Sequence, residues 1–378
     1  MSLIEKKISR LESKLSFLKS LLRDLDIPKS IQTGIQNALH EIEKEIIELK
    51  TIYTLTRTLT TKGWILRWLA NGLSILDARL FRLNAAYTFL KSHSYQRQDP
   101  DLKFSNSIID QYLEELCKLS QLNQNEIIHM VSHSYSCLPL GEIPFYPVFL
   151  PAYDLASPNY WGILAHELGH IYYDTRKEQM QRNLLPQINQ IVREGVSKLV
   201  SDAEAYPTSR DAAFTWIRWW TPEYFSDCFA IRVLGPAYLA LSNIELFIES
   251  TETETFPPSH PPTSTRISFC LETLRKLNLD EIQPYIEHLE DEFKEIAKLP
   301  PIETEISRKL EIFTHPNILP QCFRLIEEAV DVFSIRELWP EVLATLEKLK
   351  ANGKIDRRSP LLPQICAATL LGKSYPVA

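Results

Sequence analysis

Apolar residues recur every three or four positions through most of the chain, and the pattern breaks in only a few places. The first stretch carries Ile4, Ile8, Leu11, Leu15, Leu18, Leu22 and Leu25 among charged residues. Steps of four and three alternate, so these residues lie on one seam of a helix with a heptad repeat. Asp26-Ile27-Pro28 interrupts it, because proline cannot donate to the helical ladder and restricts the residue before it. The seam resumes with Ile35, Leu39, Ile42, Ile46, Leu49 and Tyr53. Two seams of similar length across a short break predict an antiparallel helical hairpin over 1–60. Such a hairpin serves either as a packing arm or as a surface for a second copy or another protein partner.

Amphipathic spacing predicts further helices over 64–92, 105–119 and 186–206, and later over 266–277, 279–298, 303–312, 320–334 and 336–350. Between Cys137 and Pro158 prolines and aromatics replace the helical period. Phe145–Leu150 reads as a short extended strand, and Pro147 within it points to an edge strand or a loop. Ser157-Pro158 and Thr221-Pro222 each place a capping residue before a proline at the first helical position, so a helix should open at both. Residues 250–265 form a polar, proline-rich loop. No internal repeat is visible.

Composition narrows the class. Only 10 glycines occur in 378 residues, which favours helices over a sheet-rich fold needing many tight turns. The predicted fold is mainly α with a small β element. The net charge of −7 offers no concentrated basic surface for nucleic acid. The six cysteines form no CxxC pair, which argues against a thiolate zinc site or a disulfide framework and suits a reducing compartment. The opening MSLIEKKISRLESK lacks the apolar core of a signal peptide. The most apolar long stretch, Phe229 to Phe247, carries Arg232 and Glu245, whereas a membrane span needs about 20 nearly uncharged residues. The expected location is cytoplasmic.

Candidate chemistry sits in GILAHELGHIYY, residues 162–173. His166 and His170 are four apart, so on a helix both rings face one side and can bind one metal ion. Glu167 projects toward a water on that metal rather than toward the metal itself. Zinc lowers the pKa of its bound water to about 7, and a neighbouring carboxylate can then take the proton. This pattern is a zinc-hydrolase helix motif. A catalytic zinc needs a third protein ligand, and Thr221-Pro-Glu-Tyr-Phe-Ser-Asp227 supplies a candidate in Glu223. A place in the first helical turn would favour its ionised form. Asp227, one turn later, could accept the second N–H of a ligand histidine and fix its tautomer.

HELGH followed by ExxxD, then Ser259-His260-Pro261-Pro262 with Arg266 shortly after, resembles the gluzincin metallopeptidases. The closest likeness is to the CAAX-prenyl-protease and HtpX heat-shock-protease group, over roughly residues 140–275. The resemblance implies a zincin-like catalytic region, here 61–300, between the hairpin of 1–60 and a C-terminal helical region of 301–378. It further implies zinc held by His166, His170 and Glu223, with Glu167 as general base and Asp227 one turn beyond the third ligand. Members of that group are typically integral membrane proteins, and this chain has no credible span. A prenylated or membrane-embedded substrate is therefore not part of the expectation.

His260 could donate to the oxyanion of a tetrahedral intermediate, and Arg266 could pair with Asp227 or with a substrate carboxylate. His129 and His133 are also four apart, but no glutamate follows the first. Trp216, Trp219 and Trp220 suit a substrate pocket or, more commonly, a core. The function expected from these residues is zinc-dependent hydrolysis of a peptide or protein, with Phe145–Leu150 as a strand the substrate could extend. The alternatives are a zinc amidohydrolase acting on a non-peptide substrate, and a helical interaction protein whose zinc site is structural or inactive.

Overall fold

The computed structural model describes residues 3–21, 29–56, 63–132, 136–137, 145–151, 161–200, 202–239, 260–296, 311–356 and 358–371. They fall into two compact units. The first is drawn from Met1–Asn106, Asn123–Ser132 and Leu138–Phe149, the second from Ser107–Leu122, His133–Cys137 and Leu150–Ala378.

In the first unit the predicted seams pack against one another. Helices α1 (Leu3–Leu21), α2 (Lys29–Thr56) and α3 (Gly63–Gln98) make mutual contacts. Ile8, Leu11, Leu15 and Leu18 of α1 are buried with Ile31, Ile35, Leu39, Ile42 and Ile46 of α2. The third helix carries a seam of its own in Leu69, Leu73, Leu76, Leu80 and Leu83. Ion pairs fix the direction of the hairpin: Lys50 meets Glu12 at 2.6 Å and Lys19 meets Glu43 at 2.7 Å. Seven residues forward on α1 match seven back on α2, so the two run antiparallel. Each exposed pair is worth at most about 1 kcal/mol, whereas a fully buried Leu or Ile contributes about 1.5–3 kcal/mol. The seam holds the unit together and the ion pairs set its register. Asp26-Ile27-Pro28 lies outside the described residues.

Helix α4 (Pro100–Ser120) follows, then strands β1 (Ile127–Ser132), β2 (Ser136–Cys137) and β3 (Tyr146–Pro151), in sheet order β1-β3-β2. Phe145–Leu150 therefore lies in the middle strand of the sheet, and the edges are β1 and β2. The proline argument misled because β2 is two residues long and pairs only a fraction of β3, leaving room for a residue without an N–H.

The second unit contains α5 (Gly162–Thr175), α6 (Leu185–Ser197), α7 (Asp202–Thr215), α8 (Thr221–Leu234), α9 (Thr263–Lys276), α10 (Gln283–Ile296), α11 (Leu319–Ala329), α12 (Trp339–Asn352) and α13 (Leu361–Leu370). The start at Ser157-Pro158, the residues 303–310 and most of the 250–265 loop lie outside the described residues. The helix expected over 186–206 is two helices, α6 and α7. The one expected over 320–334 ends at Ala329, and a 3-10 turn at Ile335–Leu338 precedes α12.

Thr221 does not cap a helix start. A π-helical segment, Trp216–Trp220, joins α7 to α8 without interruption, and the Thr221 N–H donates to the Trp216 carbonyl. Pro222 has no N–H to offer the preceding turn, and the wider π turn accommodates that loss inside a continuous helix. Met180–Leu184 does the same before Pro186. Among the described residues no helix is long and apolar enough to cross a membrane.

Candidate metal centre

Helices α5 and α8 cross at contact distance, and a glycine makes the crossing possible. A Cβ on Gly169 would lie 2.7 Å from Ser226 Cα, closer than carbon atoms pack. The crossing brings the HELGH face of α5 against Glu223 and Asp227, which sit one turn apart on α8.

Three side chains converge there. His170 Nε2 lies 3.1 Å from His166 Nε2, His166 Nε2 lies 3.4 Å from one oxygen of Glu223, and His170 Nε2 lies 3.3 Å from the other. Ligands about 2.0–2.1 Å from a tetrahedral zinc are about 3.3 Å from each other. The spacing thus fits one small divalent ion. His166, His170 and Glu223 are also the group of described residues whose donor atoms could hold a metal. Glu223 Oε2 is buried with no contact close enough for a hydrogen bond among the described residues. Arg266 Nη2 at 3.5 Å and His166 Nε2 at 3.4 Å are its polar neighbours, so it keeps a lone pair for a metal ion. With both imidazoles neutral, Glu167, Glu223 and Asp227 against Arg266 leave two formal negative charges, which a divalent cation balances.

The carboxylates are held from behind. Asp227 is fully buried and accepts from Arg266 Nε at 2.9 Å and Nη2 at 2.6 Å. Its Oδ1 is also 2.9 Å from His166 Nδ1 and accepts from the Tyr238 hydroxyl at 2.5 Å. Arg266 reaches Glu223 at 3.5 Å as well. Burial alone would raise the Asp227 carboxyl, but the Arg266 charge and hydrogen bonds, with His166, bring it down to about 2. Burial opposes a charged His166 ring, yet hydrogen bonds to Asp227 and Glu223 outweigh it and raise the ring to about 9. For Glu223 the burial cost is exceeded by His170, His166 and Arg266, so its carboxyl lies well below the usual range. Its ionised form owes nothing to a helix N-terminus, because the π segment continues the helix beneath it.

Glu167 follows His166 on α5 and is buried. Strand β2 packs on α5, which brings the Cys137 thiol near Glu167. Burial and then the Glu167 charge keep that thiol protonated. His260 Nε2 is 3.8 Å from Glu223 Oε1, at the open side, where its side chain is 37% exposed. Burial pulls its ring below the ordinary histidine value, so it is a neutral donor or acceptor there.

Every residue singled out from the sequence for this centre is therefore gathered within it. Arg266, 3% exposed, faces Asp227 rather than a substrate carboxylate. Trp216 and Trp220 are core, with Trp216 Nε1 donating to the Phe313 carbonyl. His129 is buried in the first unit against Asn106 at 3.1 Å, and His133 lies outside the described residues. Two residues of the centre carried no sequence signal, Tyr238 and Cys137. No protein-family model, no curated protein and no solved structure matches the chain.

Proposed function

We propose that this chain is a zinc-dependent hydrolase with a zincin-like catalytic region, acting on peptide bonds. The observation that carries the reading is the tetrahedral spacing of His166, His170 and Glu223, with Glu167 beside them. Zinc bound there would polarise a carbonyl and lower the pKa of a water to about 7. Glu167 accepts the proton of the attacking water and returns it to the leaving amine. His260, at the open side, donates to the oxygen that gains charge as the carbonyl is attacked. Asp227 and Arg266 touch neither water nor substrate; they hold His166 and Glu223 in place. An extended substrate lies along β2, the outer strand on α5, rather than along β3, which already has neighbours on both sides.

A structural zinc has no use for Glu167, and this residue separates the readings. The test is metal content and cleavage of a mixed peptide library by wild type, His166→Ala, Glu223→Ala and Glu167→Gln, purified without chelators. About one zinc per chain is expected in wild type and Glu167→Gln, and little in the other two. Library cleavage should be confined to wild type. Zinc without cleavage of any peptide, in a protein that hydrolyses small amides, would move the substrate from peptides to those amides. Cleavage by Glu167→Gln at the wild-type rate would remove the assigned base.

A further inference from the structure

Helix α8 ends at Leu234 because Gly235 adopts φ +57, a backbone conformation nearly closed to other residues. A 3-10 turn, Gly235–Ala237, then reverses the chain. The reversal brings Tyr238 back beneath the metal centre, eleven residues beyond Asp227 but in contact with it. Its ring is fully buried and stacks on His166, with centroids 6.1 Å apart and planes within 4°. The stacking alone could be packing. The hydroxyl is not explained that way.

The phenol oxygen is 3.1 Å from His166 Nδ1 and donates to Asp227 Oδ1 at 2.5 Å. His166 Nδ1 is itself 2.9 Å from the same carboxylate oxygen. These three atoms form a closed triangle. A phenol has one proton and two lone pairs. With that proton on Asp227, the oxygen can only accept from Nδ1, so Nδ1 must carry the histidine's proton. In the neutral ring that a metal requires, Nε2 is then bare and faces His170 and Glu223. Were the proton on Nε2 instead, Nδ1 would face a carboxylate oxygen and a phenol already committed elsewhere.

We infer that Tyr238 is a positioning residue of the metal centre: its hydroxyl closes a His166–Tyr238–Asp227 triangle that fixes the tautomer and ring plane of His166. The inference rests on the metal reading above and goes beyond a simple histidine–carboxylate pair. Asp227 alone could orient Nδ1, but it already accepts two bonds from Arg266. The phenol gives the imidazole a second acceptor and ties the carboxylate oxygen that faces Nδ1.

Tyr238→Phe keeps the stacked ring and removes only the hydroxyl. Zinc affinity is measured by competition with a chromogenic chelator for wild type, Tyr238→Phe, Asp227→Asn and the double variant. The midpoint of chemical unfolding of each metal-free protein is recorded in parallel. Tyr238→Phe should weaken zinc about 10-fold or more, as loss of such an outer partner does. The double variant should lose less than the product of the single losses, because both act through His166. Affinity losses that simply multiply, or an unchanged affinity in Tyr238→Phe, would overturn the inference while leaving the metal reading intact. A wild type that binds no zinc would overturn both. A measurement on the unmutated protein covers the case in which Tyr238→Phe fails to fold. In zinc-loaded wild type the His166 Nδ1 proton should give a slowly exchanging, downfield-shifted resonance, and a proton found on Nε2 would sink the proposal.

Discussion

Gly169 and Ser226 are in contact where α5 crosses α8, so closely that a methyl group on Gly169 would lie 2.7 Å from Ser226 Cα and 2.9 Å from its Cβ. The clash is with backbone, which cannot rotate away. Gly169→Ala should therefore push the two helices apart. Overpacking of this kind costs about 1–3 kcal/mol, and separation of His166 and His170 from Glu223 should also weaken zinc. Gly72→Ala is the control. There the nearest atom is the tip of the Leu49 side chain at 3.3 Å, which can shift, and alanine in a helix gains about 0.5–1 kcal/mol over glycine. Urea unfolding of both variants should show a large loss for Gly169→Ala and little change for Gly72→Ala. Equal losses would mean that the α5–α8 crossing is not tight in solution.

Arg266 should be indispensable despite touching no substrate. Replacing it by alanine takes away both hydrogen bonds of the guanidinium to buried Asp227, leaving only His166 and the Tyr238 hydroxyl against that charge, and removes the cation beside Glu223. Breaking a buried pair from one side costs about 3–5 kcal/mol, so Arg266→Ala should be strongly destabilised when metal-free. Arg266→Ala with Asp227→Asn removes the stranded charge as well, and its stability should recover part of the loss. The comparison is made by thermal unfolding of the chelated proteins. No recovery in the double variant would show that Arg266 acts by packing, not by charge.

Much of this site was legible in the sequence because it is built from local spacing. His166, Glu167 and His170 share one helix turn, as do Glu223 and Asp227, and spacing along a helix is what a sequence displays. The seams of α1 and α2 were legible for the same reason. Phe145–Leu150 was misplaced because one proline was taken to decide its position in the sheet, while the shortness of β2 was invisible. Thr221 was misread as a cap because nothing local marks a π turn ahead of a proline. Helix α13 left no amphipathic trace. Its residues Leu361–Thr369 are all buried, so there is no polar face to give a period, and its first N–H groups are capped by Glu115 from far along the chain. Tyr238 and Cys137 reach the centre through chain reversal and strand packing, neither of which is written in their neighbours.

Zinc binding near neutral pH should release protons, and the amount should fall as pH rises. In the metal-free protein His166 is raised from its ordinary 6.5 to about 9, so at pH 7.5 the ring carries an extra proton that zinc must displace. Calorimetry in buffers of different ionisation enthalpy should report close to one proton from this group per zinc at pH 7.5 and far less at pH 10. The same shifts set the stability of the metal-free fold. A raised His166 stabilises it fully below 6.5, and that contribution disappears as pH rises through about 9. Asp227, lowered from 3.8 to about 2, stabilises it fully above 3.8 and ceases to do so as pH falls through about 2. Both contributions are complete together only between about pH 4 and 6.5, so the chelated protein should be most stable in that window. Zinc removes the alkaline loss by replacing the proton with a metal ion. A zinc-loaded protein whose stability fell as steeply between pH 7 and 10 as the chelated one would show that the ion does not sit on His166.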